Sequence, residues 1–357
     1  MKINQKAVFS LITMGFFLLV GTCSTALSRT IRKTVNPVTS YQAEPAVVTG
    51  IYDLIPTNDP KYAQRTSELS NPWVSGLSAR FTWNYLEPIQ GQYNWPVIDN
   101  VIARAKKYSK KVMLRVTAGV NTPGWVFAEG AQYIAATVDN TYLKVPVFWD
   151  PIYLEKWCNF IQALGNRYEG NADIIGIQMA GGGLVAEMSI YVPDVDWTEY
   201  GYSIDTYVSA WKTIIDAYRA SFPSKFTHLD IHKVLGNDVT SMTRVIDYCI
   251  NTYPNLVFIQ ANDLRSTGSE YSQYIQESAA ETGTGYQMYG GRNWKDAYVG
   301  DRMSAFQLGL ADKIIYAEVY QSDLIDSTLT NAMKFLADGL HSNADLYQVR
   351  LEMKQTN

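Results

Sequence analysis

Three glutamates in this 357-residue chain stand where apolar, strand-like sequence meets loop, and each could do acid-base work. Glu318 lies inside the run Ile315-Tyr316-Ala317-Glu318-Val319-Tyr320. An unpaired carboxylate is costly to bury in an apolar strand, so Glu318 is expected to face a polar mouth or an arginine such as Arg80. Glu187 follows Gly181-Gly182-Gly183, and three glycines let the backbone fold back tightly enough to return it to the end of the preceding strand. Glu87, before Pro88, reads as a structural turn carboxylate. Gln287, in Gly285-Tyr286-Gln287-Met288-Tyr289, is an amide that neither titrates nor serves as a good nucleophile. Arg80 and Arg115 carry fixed charges on strand-like sequence, where they would lower the pKa of a neighbouring carboxylate. Asp230 and His232 alternate on another run and so share a face, while Gln260 and Asn262 end a further one. Trp83, Trp125 and Trp294 supply flat rings beside these runs.

Such residues need a scaffold that collects strand ends, and the pattern supplies one. Strand signals run over Val47–Leu54, Gly76–Trp83, Lys111–Val116, Asp173–Met179, Phe226–His232, Asn255–Gln260, Gly285–Tyr289 and Lys313–Val319. Helix signals alternate with them, at Pro60–Leu69, Val97–Lys110, Pro151–Tyr168, Ile204–Phe222, Val239–Tyr253, Ser269–Glu281, Met303–Asp312 and Ser327–Leu340. Asp150-Pro151 marks one start, an N-cap followed by proline in the first turn. Strands alternating with helices imply a parallel sheet with crossover helices, and eight such units predict an α/β fold, a (β/α)8 TIM barrel over residues 47–357. Functional groups on such a barrel lie at the C-terminal strand ends. The long loop from Ala118 to Asp150 is expected to shape the mouth.

The run Trp83-Asn84-Tyr85-Leu86-Glu87-Pro88, with Gln90-Gly91-Gln92-Tyr93-Asn94-Trp95 and Thr122-Pro123-Gly124-Trp125, resembles clan A glycoside hydrolases, especially the family 42 type. The resemblance is strongest over Arg80 to Trp125. It implies a barrel with one carboxyl as acid at the end of strand four, after an Asn, and a nucleophile at the end of strand seven. This chain departs from both: strand four gives Met179-Ala180-Gly181, and strand seven gives Gln287. On this resemblance Glu187 is the candidate general acid/base, with a raised pKa, and Glu318 the second carboxylate or nucleophile. Arg80, Trp83, Arg115, Trp125, His232, Gln260, Gln287 and Trp294 are candidate substrate-binding residues. A carbohydrate is the implied substrate, and no cofactor is implied. The alternative is a non-catalytic carbohydrate-binding barrel, which the missing Asn-Glu pair and Gln287 support.

Composition bounds these readings. A 47% hydrophobic and 18% charged chain is globular, and 9 Trp with 25 Tyr are compatible with sugar stacking or with core filling. A net charge of −4 argues against nucleic acid as a partner. Three histidines and no paired-cysteine motif argue against a metal site. Cys158 and Cys249 read as buried helical residues. Lys2 and Lys6 followed by the apolar stretch Ala7–Gly21 have the layout of an export signal over residues 1–26, with 27–46 as a tether. Cleavage before Cys23, as in a lipoprotein, cleavage after Ala26 and an uncleaved anchor all remain open. The protein is expected outside the cytoplasm, touching a membrane only through such an anchor.

Overall fold

The computed structural model describes residues 48–55, 67–138 and 141–355. The expected export signal and tether lie outside these residues, as does most of the expected helix Pro60–Leu69. Eight strands close into a parallel barrel. They are β1 (Gly50–Leu54), β2 (Val74–Thr82), β3 (Lys111–Thr117), β6 (Ile174–Met179), β7 (Phe226–Asp230), β8 (Val257–Leu264), β9 (Thr284–Met288) and β10 (Tyr316–Tyr320). Each of the eight overlaps a strand expected from sequence. The remaining two strands, β4 (Tyr133–Val138) and β5 (Thr141–Pro146), form an antiparallel hairpin inside the long loop after β3.

Among the described residues, seven longer helices accompany the strands: α1 (Pro96–Lys107), α2 (Pro151–Tyr168), α3 (Ile204–Ser221), α4 (Thr240–Thr252), α5 (Ser272–Ala279), α6 (Arg302–Ala311) and α7 (Thr330–Gln355). Their ends follow local chemistry. The Asp150 side chain accepts from the backbone N–H groups of Ile152 and Tyr153, with Pro151 in the first turn of α2. Ser203 caps α3 and Asp301 caps α6 in the same way. Lys106 and Lys107 sit in the last turn of α1, where cations suit the helix dipole. Cys158 on α2 is half-buried, Cys249 on α4 is buried, and both are free thiols.

The barrel interior is layered. At the N-terminal end, Tyr52, Met113, Phe226, Phe258 and Tyr316 pack together, closed over by Tyr347 and Leu351 of α7. Gly176 and Gly285 make this layer possible, because a Cβ on either would fall within 2.3 Å of the Phe226 or Tyr316 ring. Above these rings the interior turns polar, with Ser78, Arg115, Gln178, Asp230, Gln260, Gln287 and Glu318 all buried. That polar layer is the floor of the mouth.

Candidate functional site

The floor is organised around Arg115 on β3. Its Nε donates to Gln178 Oε1 at 2.5 Å, its Nη2 to Asp230 Oδ2 at 2.8 Å, and its Nη1 to Gln287 Oε1 at 3.0 Å and to Glu318 Oε2. Glu318, fully buried on β10, also accepts from Ser78 Oγ at 2.5 Å and Gln260 Nε2 at 3.0 Å. Burial pushes its carboxyl up, but the Arg115 charge prevails and holds it below the ordinary glutamate value. Asp230 goes the other way: burial outweighs Arg115, and the negative charges of Glu318 and Glu187 add to the upward push. His228, enclosed on β7 between the Phe226 and Tyr316 rings, is driven down to about 3 by burial and is neutral.

Above this floor opens a cavity of about 790 Å³. Glu187, His232, Asn262, Asp263, Gln287 and Trp294 are among its lining residues, with Thr141 and Leu143 of the β4–β5 hairpin at its edge. Glu187 reaches it by the fold-back expected of the glycines. Leu184 N–H donates to Ser189 O at 2.8 Å, and an added Cβ on Gly183 would lie 1.8 Å from the Glu187 carbonyl oxygen. Asn262 Nδ2 then donates to Glu187 Oε1 and to Asp230 Oδ2, each at 2.8 Å, so one amide joins the cavity carboxylate to the floor. Burial raises the Glu187 pKa, but the Asn262 hydrogen bond and the charges of Arg80 and Arg115 outweigh it, and the net shift is downward. The expected upward shift is therefore corrected, because the Asn262 amide, with the Arg80 and Arg115 charges behind it, favours the ionised form.

Asp263 is the second carboxyl of the wall. A break in register between Ala261 and Leu264 of β8 lets Asn262 and Asp263 both reach the cavity, although adjacent strand residues ordinarily face opposite ways. Its oxygens accept from Ser269 Oγ at 2.5 Å and Glu270 N–H at 2.7 Å, yet burial carries its pKa above the ordinary aspartate value. Glu270, half exposed, pairs with Lys233.

The candidate residues thus separate. Glu187, His232, Gln287 and Trp294 line the cavity. His232 turns Nδ1 to the Lys233 carbonyl oxygen at 2.9 Å and its ring to Tyr271, and Trp294 is 50% exposed. Arg115, Gln260 and Glu318 are buried in the floor with no exposed surface. Arg80 is half-buried and donates to Gln287 Oε1 at 3.3 Å. Trp83, expected at the mouth, is instead wholly buried against Trp157, Phe160 and Trp125. Its Nε1 donates to Glu87 Oε2 at 2.8 Å, while Trp125 Nε1 donates to the Glu87 carbonyl oxygen at 3.0 Å. Glu87 also accepts from Gly91 N–H at 2.8 Å, so it organises the turn after β2 and keeps both indoles off the cavity. Sequence reasoning missed Asp263, although the polar sequence at the end of β8 signalled a strand end. It also missed Tyr289 and Lys295, which become wall residues only through loop placement.

Residues 61–219 match the glycoside hydrolase family 42 model, described as beta-galactosidase. No curated protein matches the chain in sequence. Among solved structures the fold is similar to a polyextremophilic beta-galactosidase from the haloarchaeon Halorubrum lacusprofundi, at 12% identity and a TM-score of 0.56. That match covers 83% of this chain and 58% of the other, so this chain spans little more than half the length of that protein. A cold-adapted beta-galactosidase from Rahnella sp. R3 aligns at 12% identity and a TM-score of 0.53, over 85% of this chain and 57% of the other. A beta-galactosidase from Marinomonas ef1 aligns at 8% identity and a TM-score of 0.52, over 81% and 59%.

Proposed function

We propose that this glycoside hydrolase-like barrel, similar to the family 42 type, hydrolyses a glycosidic bond held in the mouth cavity, with Glu187 and Asp263 as its working carboxyls. The observation that carries the reading is their opposite bias within one cavity: Glu187 is held ionised and Asp263 is pushed towards its protonated form. Paired carboxyls with pKa values driven apart are what acid and base roles require. Asp263 gives its proton to the leaving glycosidic oxygen as the bond to the anomeric carbon breaks. Glu187 takes a proton from the water that attacks that carbon, or attacks it directly to form a glycosyl ester that water then cleaves, giving a proton back to Asp263. Glu318 is set aside as nucleophile, because it lies beneath the cavity with no exposed surface, bound to Arg115.

A second reading has its own support. Gly181 and Gly182 stand at the end of β6, and an added Cβ would lie 2.0 Å from the Trp157 indole or 2.4 Å from that of Trp211. No side chain fits there, and Gln287 occupies the end of β9. Both features favour a barrel that binds carbohydrate without cleaving it. Glu187→Gln and Asp263→Asn separate the readings. Hydrolysis is expected to fall about 10²–10⁴-fold in each with oligosaccharide binding retained. The pH profile of the parent enzyme should have an acid limb below the ordinary glutamate range, lost in Glu187→Gln. Binding by a parent protein that releases no reducing ends establishes the second reading.

Export is part of the proposal, supported by Lys2, Lys6 and the apolar stretch that follows. Mass spectrometry of the N-terminus of protein recovered from its native host tests it: an intact Met1 start on cytoplasmic protein removes it.

A further inference from the structure

Two cations in the cavity wall stand outside the ion pairs formed among the described residues. Arg265 lies just beyond β8, Lys295 follows Trp294 in the loop after β9, and both line the cavity. Among the described residues neither forms an ion pair. Several other cations nearby do: Lys233 pairs with Glu270, Arg292 with Asp326, and Arg302 with Asp296 and Asp323, while Arg80 donates to Gln287. The acidic groups of the cavity are already engaged, Glu187 by Asn262, Asp263 by Ser269 and the Glu270 N–H, and Glu270 by Lys233. Arg265 influences Asp263 only through its charge.

What holds the two cations is aromatic. The Arg265 guanidinium stands 5.2 Å from the centre of the Tyr289 ring, and the Lys295 ammonium lies 4.2 Å from that centre and 4.3 Å from that of Trp294. Ring faces position a cation without cancelling its charge. Lys295 is also fixed in the left-handed region, at φ 57°, beside the paired backbone bonds of Gly291 and Trp294. A ligand that filled the cavity would strip water from both charges, which is costly unless the ligand brings an anion.

We propose that the cavity takes a glycan unit bearing a carboxylate or sulfate group, received by Arg265 and Lys295, with Trp294 and Tyr289 flanking the sugar. The inference rests on the carbohydrate reading of the site and names its substrate class. A guanidinium fork and an ammonium together suit either anion.

Intrinsic tryptophan fluorescence titrations with an oligogalacturonate, a sulfated galactan oligosaccharide and a neutral galacto-oligosaccharide of equal length test it. The variants are Arg265→Gln, Lys295→Asn and the double substitution. Asparagine tolerates the left-handed backbone, so Lys295→Asn removes the charge without adding strain. At least one anionic oligosaccharide should bind about tenfold or more tighter than the neutral one. The stronger of the two identifies the group. The preference should shrink with added salt and disappear in the double variant. Equal affinity for all three, or a preference that survives in the double variant, overturns the inference. If the neutral sugar is bound and cleaved in a Glu187-dependent way without anionic preference, only this inference falls. If the parent protein binds none of the three, the carbohydrate reading falls with it.

Discussion

Arg115 decides what the carboxylates beneath the mouth can do. Its guanidinium reaches Glu318 and Asp230 at once: it keeps Glu318 ionised in the barrel interior and offsets part of the burial that pushes Asp230 up. Replacing one member of such a group leaves the others buried and uncompensated, which costs far more than a surface pair would. Arg115→Met should therefore destabilise the fold by about 3–5 kcal/mol. Urea denaturation checks this, and a loss below about 1 kcal/mol would mean that water or protonation compensates the two acids. The same network gives Glu318 the arginine partner that the sequence called for. An acid in an apolar strand must find a partner, and the partner is Arg115 across the barrel rather than a ligand. Arg80, the partner first expected for it, instead donates to Gln287.

The decisive element is the turn after β6. Gly119, at φ 60°, brings the loop after β3 against it, with an added Cβ only 2.2 Å from the Leu184 carbonyl oxygen. Val120 N–H donates to that oxygen at 2.8 Å, so two strand-end loops share one backbone contact. The indole nitrogen of Trp157 donates to the Ala180 carbonyl oxygen at 2.7 Å, and the Tyr153 hydroxyl to that of Gly181 at 2.6 Å. The turn is thus clamped by helix α2 and has no room to swell. Gly182→Ala sets a methyl against the Trp211 ring and should cost about 1–3 kcal/mol by overpacking. It should also displace Glu187, lowering catalysis more than a stability change alone would. Comparing activity at a temperature where the variant is fully folded isolates that second effect, and unchanged activity there would uncouple the turn from the site. The β4–β5 hairpin belongs to the same scale. Its two six-residue strands lay unread inside a stretch taken as loop, although Asp139-Asn140 between them is a pair of turn-favouring residues.

At the scale of the whole molecule, the buried polar layer ties stability to pH. His228 is lowered from 6.5 to about 3, so between those values the unfolded chain binds a proton that the folded chain does not. The folded state therefore loses stability as pH falls through that window. Asp230, raised from 3.8 to about 7, has the opposite sign: the folded state keeps a proton that the unfolded chain has lost, and that contribution fades as pH rises towards 7. His228→Phe removes the first effect alone, and its ring suits the neighbouring Phe226 and Tyr316. Thermal midpoints measured from about pH 8 down to about pH 4 should show the variant gaining on the parent only below about pH 6.5. A constant difference across the range would mean that His228 titrates alike in the folded and unfolded chain.

The barrel itself was legible from the chain. Strand and helix periods are local properties, repeated eight times, and short connections with right-handed crossovers leave one way to close them. The cavity position of Glu187 was legible too, because glycine spacing speaks directly to backbone reach. What only the tertiary structure decided was which polar side chain faces a ligand and which faces another side chain. Trp83 and Trp125 read as mouth aromatics, yet Glu87 draws both indoles into packing. Asp263 read as nothing in particular until a register break in β8 turned it towards the cavity. Partners more than a hundred residues apart, such as Arg115 with Asp230 or Glu318, leave no periodic trace in sequence. Their meeting depends on strand register around a closed sheet, where a shift of one residue exchanges inside for outside.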